Sequence, residues 1–107
     1  MIARTWSGWT TPDRAERYRR HYEDEVSGHL RGVPGFRGAR LLRREEGESV
    51  VFTSITFFDD LHAVREFAGE HYEQAVLEQT AREVLTGWDE QVTHHEVIVD
   101  LLGLNVQ

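Results

Sequence analysis

The apolar and polar residues of this chain fall into a short series of blocks with two different periods. Residues 49–58, "SVVFTSITFF", carry the strongest strand signal, rich in β-branched and aromatic side chains and free of charge. Residues 2–9, "IARTWSGW", give a shorter, aromatic-rich strand. Thr11 and Pro12 then supply an N-cap and a first helical residue. From there to about Arg31, Ala15, Tyr18, Tyr22, Val26 and Leu30 recur at helical spacing, and Gly28 loosens the last turn. The stretch 32–35, "GVPG", is a turn. Residues 36–46, "FRGARLLRREE", form a strand whose arginines at 37, 40, 43 and 44 suit a sheet edge. Gly47 turns a hairpin. Asp59 or Asp60 caps a helix through "LHAVREFA", with Leu61, Val64, Phe67 and Ala68 on its inner face, and Gly69 breaks it. "HYEQAVLEQTAREVLTG" predicts one or two short helical pieces up to Gly87. "QVTHHEVIV" is the final strand, and an apolar tail, "LLGLNVQ", follows.

The resulting order, β-α-β-β-α-β, is the ferredoxin-like pattern. It predicts an α+β domain over residues 1–100, a four-stranded antiparallel-type sheet with helices on one face, and a tail over 101–107. The strand at 49–58 adds a constraint. Val51, Thr53, Ile55 and Phe57 point one way, and Val50, Phe52, Ser54, Thr56 and Phe58 the other. Both faces are apolar, and two helices cover only one. Each large side chain left bare forgoes roughly 1.5–3 kcal/mol. A homodimer that buries sheet against sheet is therefore expected, with the tail reaching onto the partner.

Composition narrows the chemistry. The chain has 107 residues and a net charge of −7, from 19 acidic and 12 basic side chains. That balance disfavours nucleic acid as a partner. All the basic residues are arginine, so no lysine is present to form a Schiff base. There is no cysteine, which removes disulfide and thiolate chemistry. No apolar run approaches membrane length, and the first residues lack the pattern of a signal peptide. A cytoplasmic protein with no membrane partner is expected.

Four stretches, "MIARTWSGWTTPDRAERY", "VPGFRGARLLRRE", "FFDDLHAVREFAGEHYEQAV" and "HHEVIV", resemble the antibiotic biosynthesis monooxygenase family of dimeric α+β barrels. The resemblance implies a pocket between sheet and helices. Some members oxidise aromatic polyketides with oxygen and neither metal nor flavin. The protein then supplies a dry pocket, a proton acceptor and hydrogen bonds to the forming anion. Other members degrade haem with an Asn on the first strand and a Trp and a His on the second helical segment. Here the first strand has Thr5 and Trp6, and Phe67 and Val76 stand in the other two places, which disfavours haem. The resemblance thus implies a cofactor-independent monooxygenase of a small aromatic or polyketide-like ligand. The same pocket equally suits a cyclase or lyase that needs no oxygen, or a dimer that only binds its ligand. No cofactor and no metal are expected.

The candidate residues follow from this picture. His94 and His95 are the candidate bases, since imidazole titrates near neutrality. Strand alternation sends them to opposite faces, so at most one serves the pocket, and Glu96 can orient only His94. Tyr18, Tyr22, Phe67 and Tyr72 are candidate pocket residues, each also a packing residue. Trp6 is expected in the pocket, with Trp9 on the other face. His71 and Tyr72 follow the Gly69 break, where a lid would lie. Arg40 is either an anion contact or solvated edge-strand charge. His21, Glu25 and His29 are spaced along one helix flank, but a helical wheel places His21 towards solvent, which argues against a shared metal ion.

Overall fold

The computed structural model describes residues 1–102. Strand β1 (Ile2–Thr10) runs through the middle of an antiparallel sheet. On one side it pairs along its whole length with β3 (Ser49–Phe58), from Ile2 opposite Phe58 to Thr10 opposite Val50. Strand β2 (Phe36–Glu46) forms a hairpin with β3 and makes the outer edge. On the other side β1 meets two short strands, β4 (Gly87–Trp88) and β5 (Thr93–Glu96). The expected four-stranded α+β sheet is present, with its fourth strand broken in two.

The break has a visible cause. Residues 90–92 bond to 73–75 instead of to β1: Ala75 N–H donates to the Glu90 carbonyl at 2.9 Å, and Val92 N–H to the Glu73 carbonyl at 2.8 Å. This pairing also limits the one or two short helical pieces expected between 71 and 87 to a single one. That stretch is a turn followed by extended chain, and only α4 (Gln79–Val84) is helical. The last strand likewise ends at Glu96, short of the expected Val99. Leu101 and Leu102 are exposed, and the rest of the apolar tail expected to meet a partner lies outside the described residues.

The first helical segment runs unbroken from Pro12 to Arg31, but not as one α-helix. It comprises α1 (Pro12–His21), a π-helical turn (Tyr22–Val26) and α2 (Ser27–Arg31). Thr11 has the extended backbone of an N-cap, yet its hydroxyl makes no capping bond. In α3 (Leu61–Ala68) the cap is complete: the Asp60 carboxylate accepts from the Ala63 N–H at 2.9 Å.

Even-numbered positions of β1 and β3 face the helices. Two apolar clusters form there. One joins Tyr18, Val50, Phe52, Val84 and Leu85, and the other joins Leu30, Val33, Phe58, Ala63 and Val64. Between them the sheet presents Arg4, Trp6, Ser54 and Thr56, with Arg4 opposite Thr56 and Trp6 opposite Ser54. A polar middle between two apolar ends leaves room for a cavity. On the opposite face Val51, Ile55, Phe57 and Trp9 stay partly exposed, and Leu42 is 46 % exposed.

Gly87 lets β4 lie against β1. A Cβ there would sit 2.5 Å from Nε1 of the Trp9 indole. Gly87→Ala is expected to destabilise the fold by about 1–3 kcal/mol through overpacking. Urea denaturation measures this, and an unchanged midpoint would show that the indole simply moves aside.

Candidate functional site

The cavity lies under the helical segments, over the polar middle of the sheet. Arg4, Trp6, Ser54 and Thr56 form its floor. The first helical segment contributes Tyr18, His21, Tyr22, Val26 and His29. Phe67 and the stretch through Val76, Leu77 and Glu78 close the remaining side. Its volume is about 70 Å³. A dry cavity that admits benzene measures about 150 Å³. An aromatic ligand therefore enters only if part of the wall moves.

Arg4 is the dominant charge here. It is 5 % exposed, and burial lowers its pKa to about 10, so it remains a cation at neutral pH. Its guanidinium donates to the Tyr72 carbonyl and, at 3.3 Å, to the Gln74 carbonyl. It also lies over the Phe67 ring, 5.6 Å from the centroid. Nη1 is 2.9 Å from Nε2 of His94. Arginine has no lone pair to offer, so His94 accepts through Nε2 and carries its proton on Nδ1. Among the described residues no carboxylate forms an ion pair with Arg4. A buried cation with only neutral acceptors is poorly compensated.

His94 sits behind Arg4 on the helix side, its ring packed edge-on against Tyr72 at 5.3 Å between centroids. Burial lowers its pKa most, the Arg4 charge and, least, His95 lower it further, and Glu73 works the other way. His94 is therefore neutral at pH 7. Its expected helper, Glu96, is exposed and makes no hydrogen bond or ion pair with it; Arg4 is the partner instead. His95 is exposed on the opposite face, with Nε2 3.3 Å from the Thr5 hydroxyl. Of the two candidate bases, only His94 is near the cavity, and it stands one side chain away from it.

Tyr18 and Tyr22 both reach the cavity wall. Burial, with Tyr22 beside it, pushes the Tyr18 phenol above its ordinary range. Burial also raises Tyr22, opposed by the neighbouring Thr56 hydroxyl, although the Tyr22 hydroxyl finds no well-formed hydrogen bond. Trp6 lines the cavity and donates from Nε1 to the Asp89 carbonyl at 2.6 Å, while Trp9 faces away. Phe67 lines it too. Tyr72 does not; it packs against His94 and lies under the Arg65 guanidinium at 5.4 Å. His71 is exposed. Arg40 is exposed opposite Ile55 on the helix-free face, as solvated edge-strand charge.

One placement reverses the sequence reading. His21, expected towards solvent, has a side chain only 2 % exposed. The π-helical turn inserts an extra residue after it, so the wheel of a regular helix does not apply. Its Nδ1 is 3.3 Å from a Glu25 carboxylate oxygen, and neither ring nitrogen has a hydrogen bond of good geometry. Arg4, His21 and Glu78 were not among the expected pocket residues. For Arg4 the signal was present, since it shares strand parity with Trp6. For Glu78 there was none.

Similarity to known proteins agrees with this architecture. The haem-degrader MhuD of Mycobacterium tuberculosis, solved with two haems in its active site, is 19 % identical; the match covers 94 % of this chain and 99 % of MhuD, with a TM-score of 0.64. SnoaB, a cofactor-independent oxygenase of Streptomyces nogalater, is 14 % identical over 94 % of this chain and 97 % of SnoaB, with a TM-score of 0.57. At such identities the likeness is one of fold. No curated protein matches the sequence. The family model for antibiotic biosynthesis monooxygenases matches residues 1–81. That stretch holds β1, the first helical segment, the β2–β3 hairpin, α3 and most of the cavity wall, and the chain belongs to the antibiotic biosynthesis monooxygenase family.

Proposed function

We propose that this protein is a monooxygenase that oxidises an aromatic, polyketide-like molecule in the cavity, without flavin or haem. The observation that carries this reading is Arg4: a buried cation with no carboxylate partner among the described residues, on the floor of a cavity lined by aromatic rings. Such a group stabilises an anion that forms in a dry site. The fold shared with SnoaB supports the oxygenase reading, and Phe67 and Val76 in the cavity wall weigh against haem.

In this reading the ring system lies between Trp6, Tyr22 and Phe67. The substrate hydroxyl, or the oxygen of its enol form, points at Arg4. His94 is neutral; its one free lone pair, on Nε2, faces Arg4, so it takes the proton there, through one bridging water, as the Arg4 guanidinium turns from it to the substrate anion. The carbanionic ring then reduces oxygen itself. One oxygen atom stays on the carbon as a carbonyl, and the other leaves as water with the two protons lost from that carbon. The stretch 69–78 moves to admit the ring, since the cavity alone is too small. Gly69, at φ +83, begins that stretch, and Arg4 holds it shut through the Tyr72 and Gln74 carbonyls.

The protein acts as a homodimer. The helix-free face, with Trp9, Val51, Ile55 and Phe57 partly bare, is the natural contact between copies. Light scattering at micromolar concentration is expected to give twice the chain mass, and Phe57→Arg to give a monomer with an unchanged circular dichroism spectrum. A monomeric wild type would end this part of the proposal.

The central test is oxygen uptake with a panel of anthrones and hydroquinones and no added cofactor. Uptake with a carbonyl product is expected, and Arg4→Gln should lower kcat/KM by about 100- to 1,000-fold, as loss of one anion-stabilising donor does. Circular dichroism of the variant separates this loss from misfolding. Cyclisation of a linear polyketide without uptake would replace the oxygenase with a cyclase or lyase, and tight binding without turnover would leave a ligand-binding dimer.

The pH profile tests His94. As a base it works when neutral, and its pKa lies below 6.5. The kcat/KM should therefore be level above about pH 6.5 and fall as pH drops through the lowered pKa. His94→Gln should abolish that acid limb. If the limb persists in the variant, the base is another group.

A further inference from the structure

The first helical segment and the stretch before α4 bring together three potential metal ligands. One imidazole nitrogen of His21 and one carboxylate oxygen each from Glu25 and Glu78 all lie within 4.8 Å of one another. They come from different parts of the fold: the end of α1, the π-helical turn and the residue that precedes α4. His21 and Glu78 line the cavity.

A second observation points to a ligand. A buried imidazole ordinarily satisfies both ring nitrogens. His21 makes a well-formed hydrogen bond with neither: its side chain is 2 % exposed, and Nδ1 has only an ion-pair contact with the Glu25 carboxylate, at 3.3 Å. Leaving such a group unpaired costs about 1–3 kcal/mol. A cation at the centre of the three groups would take a lone pair of His21 and neutralise two carboxylates.

We propose that His21, Glu25 and Glu78 form a binding site for a divalent first-row cation, zinc or manganese, at the helix-side wall of the cavity. One nitrogen and two carboxylate oxygens are a mixed donor set that suits these ions. Ligand atoms around a four-coordinate zinc lie roughly 3.3–3.5 Å apart, given metal–ligand bonds of about 2.0–2.2 Å. The two glutamates reach that spacing by rotation of side chains that end at the surface, while His21 stays fixed by its packing against Tyr18. Three protein ligands leave a coordination position for water or for a ligand in the cavity. The ion would also latch the first helical segment to Glu78, the end of the stretch that must move to open the cavity. The site needs neither the substrate nor the reaction proposed above.

The test uses the full chain, stripped with chelator, dialysed and titrated with zinc, manganese and cobalt chlorides by calorimetry, with the visible spectrum of bound cobalt as a second readout. One ion per chain is expected. His21→Ala and Glu78→Gln should each weaken binding at least tenfold. Glu78→Gln replaces a surface carboxylate and keeps the proposal testable if His21→Ala fails to fold. His62 and Glu66, an exposed pair 3.6 Å apart on α3, are the control for surface binding. Three results overturn the proposal: no binding tighter than millimolar, binding indifferent to Glu78→Gln, or binding lost with His62→Ala. Because the titration contains no substrate, it stands or falls separately from the oxygenase reading.

Discussion

The structure depends on one buried guanidinium. Arg4 sits in the middle of the central strand, where a β-sheet of this size would ordinarily place an aliphatic side chain. A cation taken from water needs hydrogen bonds, and with no carboxylate partner among the described residues Arg4 finds them in backbone carbonyls. Those carbonyls belong to Tyr72 and Gln74. The chain after α3 is thereby drawn down onto the sheet as extended backbone. From that position it pairs with residues 90–92, breaks the fourth strand and supplies Val76, Leu77 and Glu78 to the cavity wall. The extended stretch, the broken strand and this side of the cavity share this one cause.

The second determinant is the π-helical turn at Tyr22–Val26. A regular helix from Pro12 to Arg31 would keep one stripe inward and leave His21 in water. The wider turn changes the phase, so that His21 before it, Tyr22 at its start and His29 after it all border the cavity. Turns of this kind occur often at functional sites, because they sacrifice regular hydrogen bonding to re-aim side chains. Here the result is a cavity whose helical wall is rich in titratable groups, facing a floor that carries a fixed positive charge.

The two faces of the sheet serve different ends. On the helix side, Ser54 and Thr56 interrupt an otherwise apolar surface and divide the core into two clusters. On the other side, Trp9, Val51, Ile55 and Phe57 flank a small polar middle in which the Ser7 and Thr53 hydroxyls bond to each other at 2.9 Å, and among the described residues no element covers them.

The order of strands and helices was legible from the chain, because hydrophobic period and turn residues are local signals. So were the two-sided character of β3 and the separation of His94 from His95, since strand alternation is fixed by backbone geometry. Arg4 could have been found the same way, by its parity with Trp6. The sequence could not determine what each face would meet. Where the short helical piece within 71–87 would begin was not legible, because propensity counts only neighbours along the chain, and Arg4, which takes the carbonyls of Tyr72 and Gln74, lies about seventy positions away. His21 read as solvent-facing because a helical wheel assumes a constant period, which the π-helical turn breaks. Its approach to Glu78 joins residues far apart in the chain, and only tertiary packing could decide it.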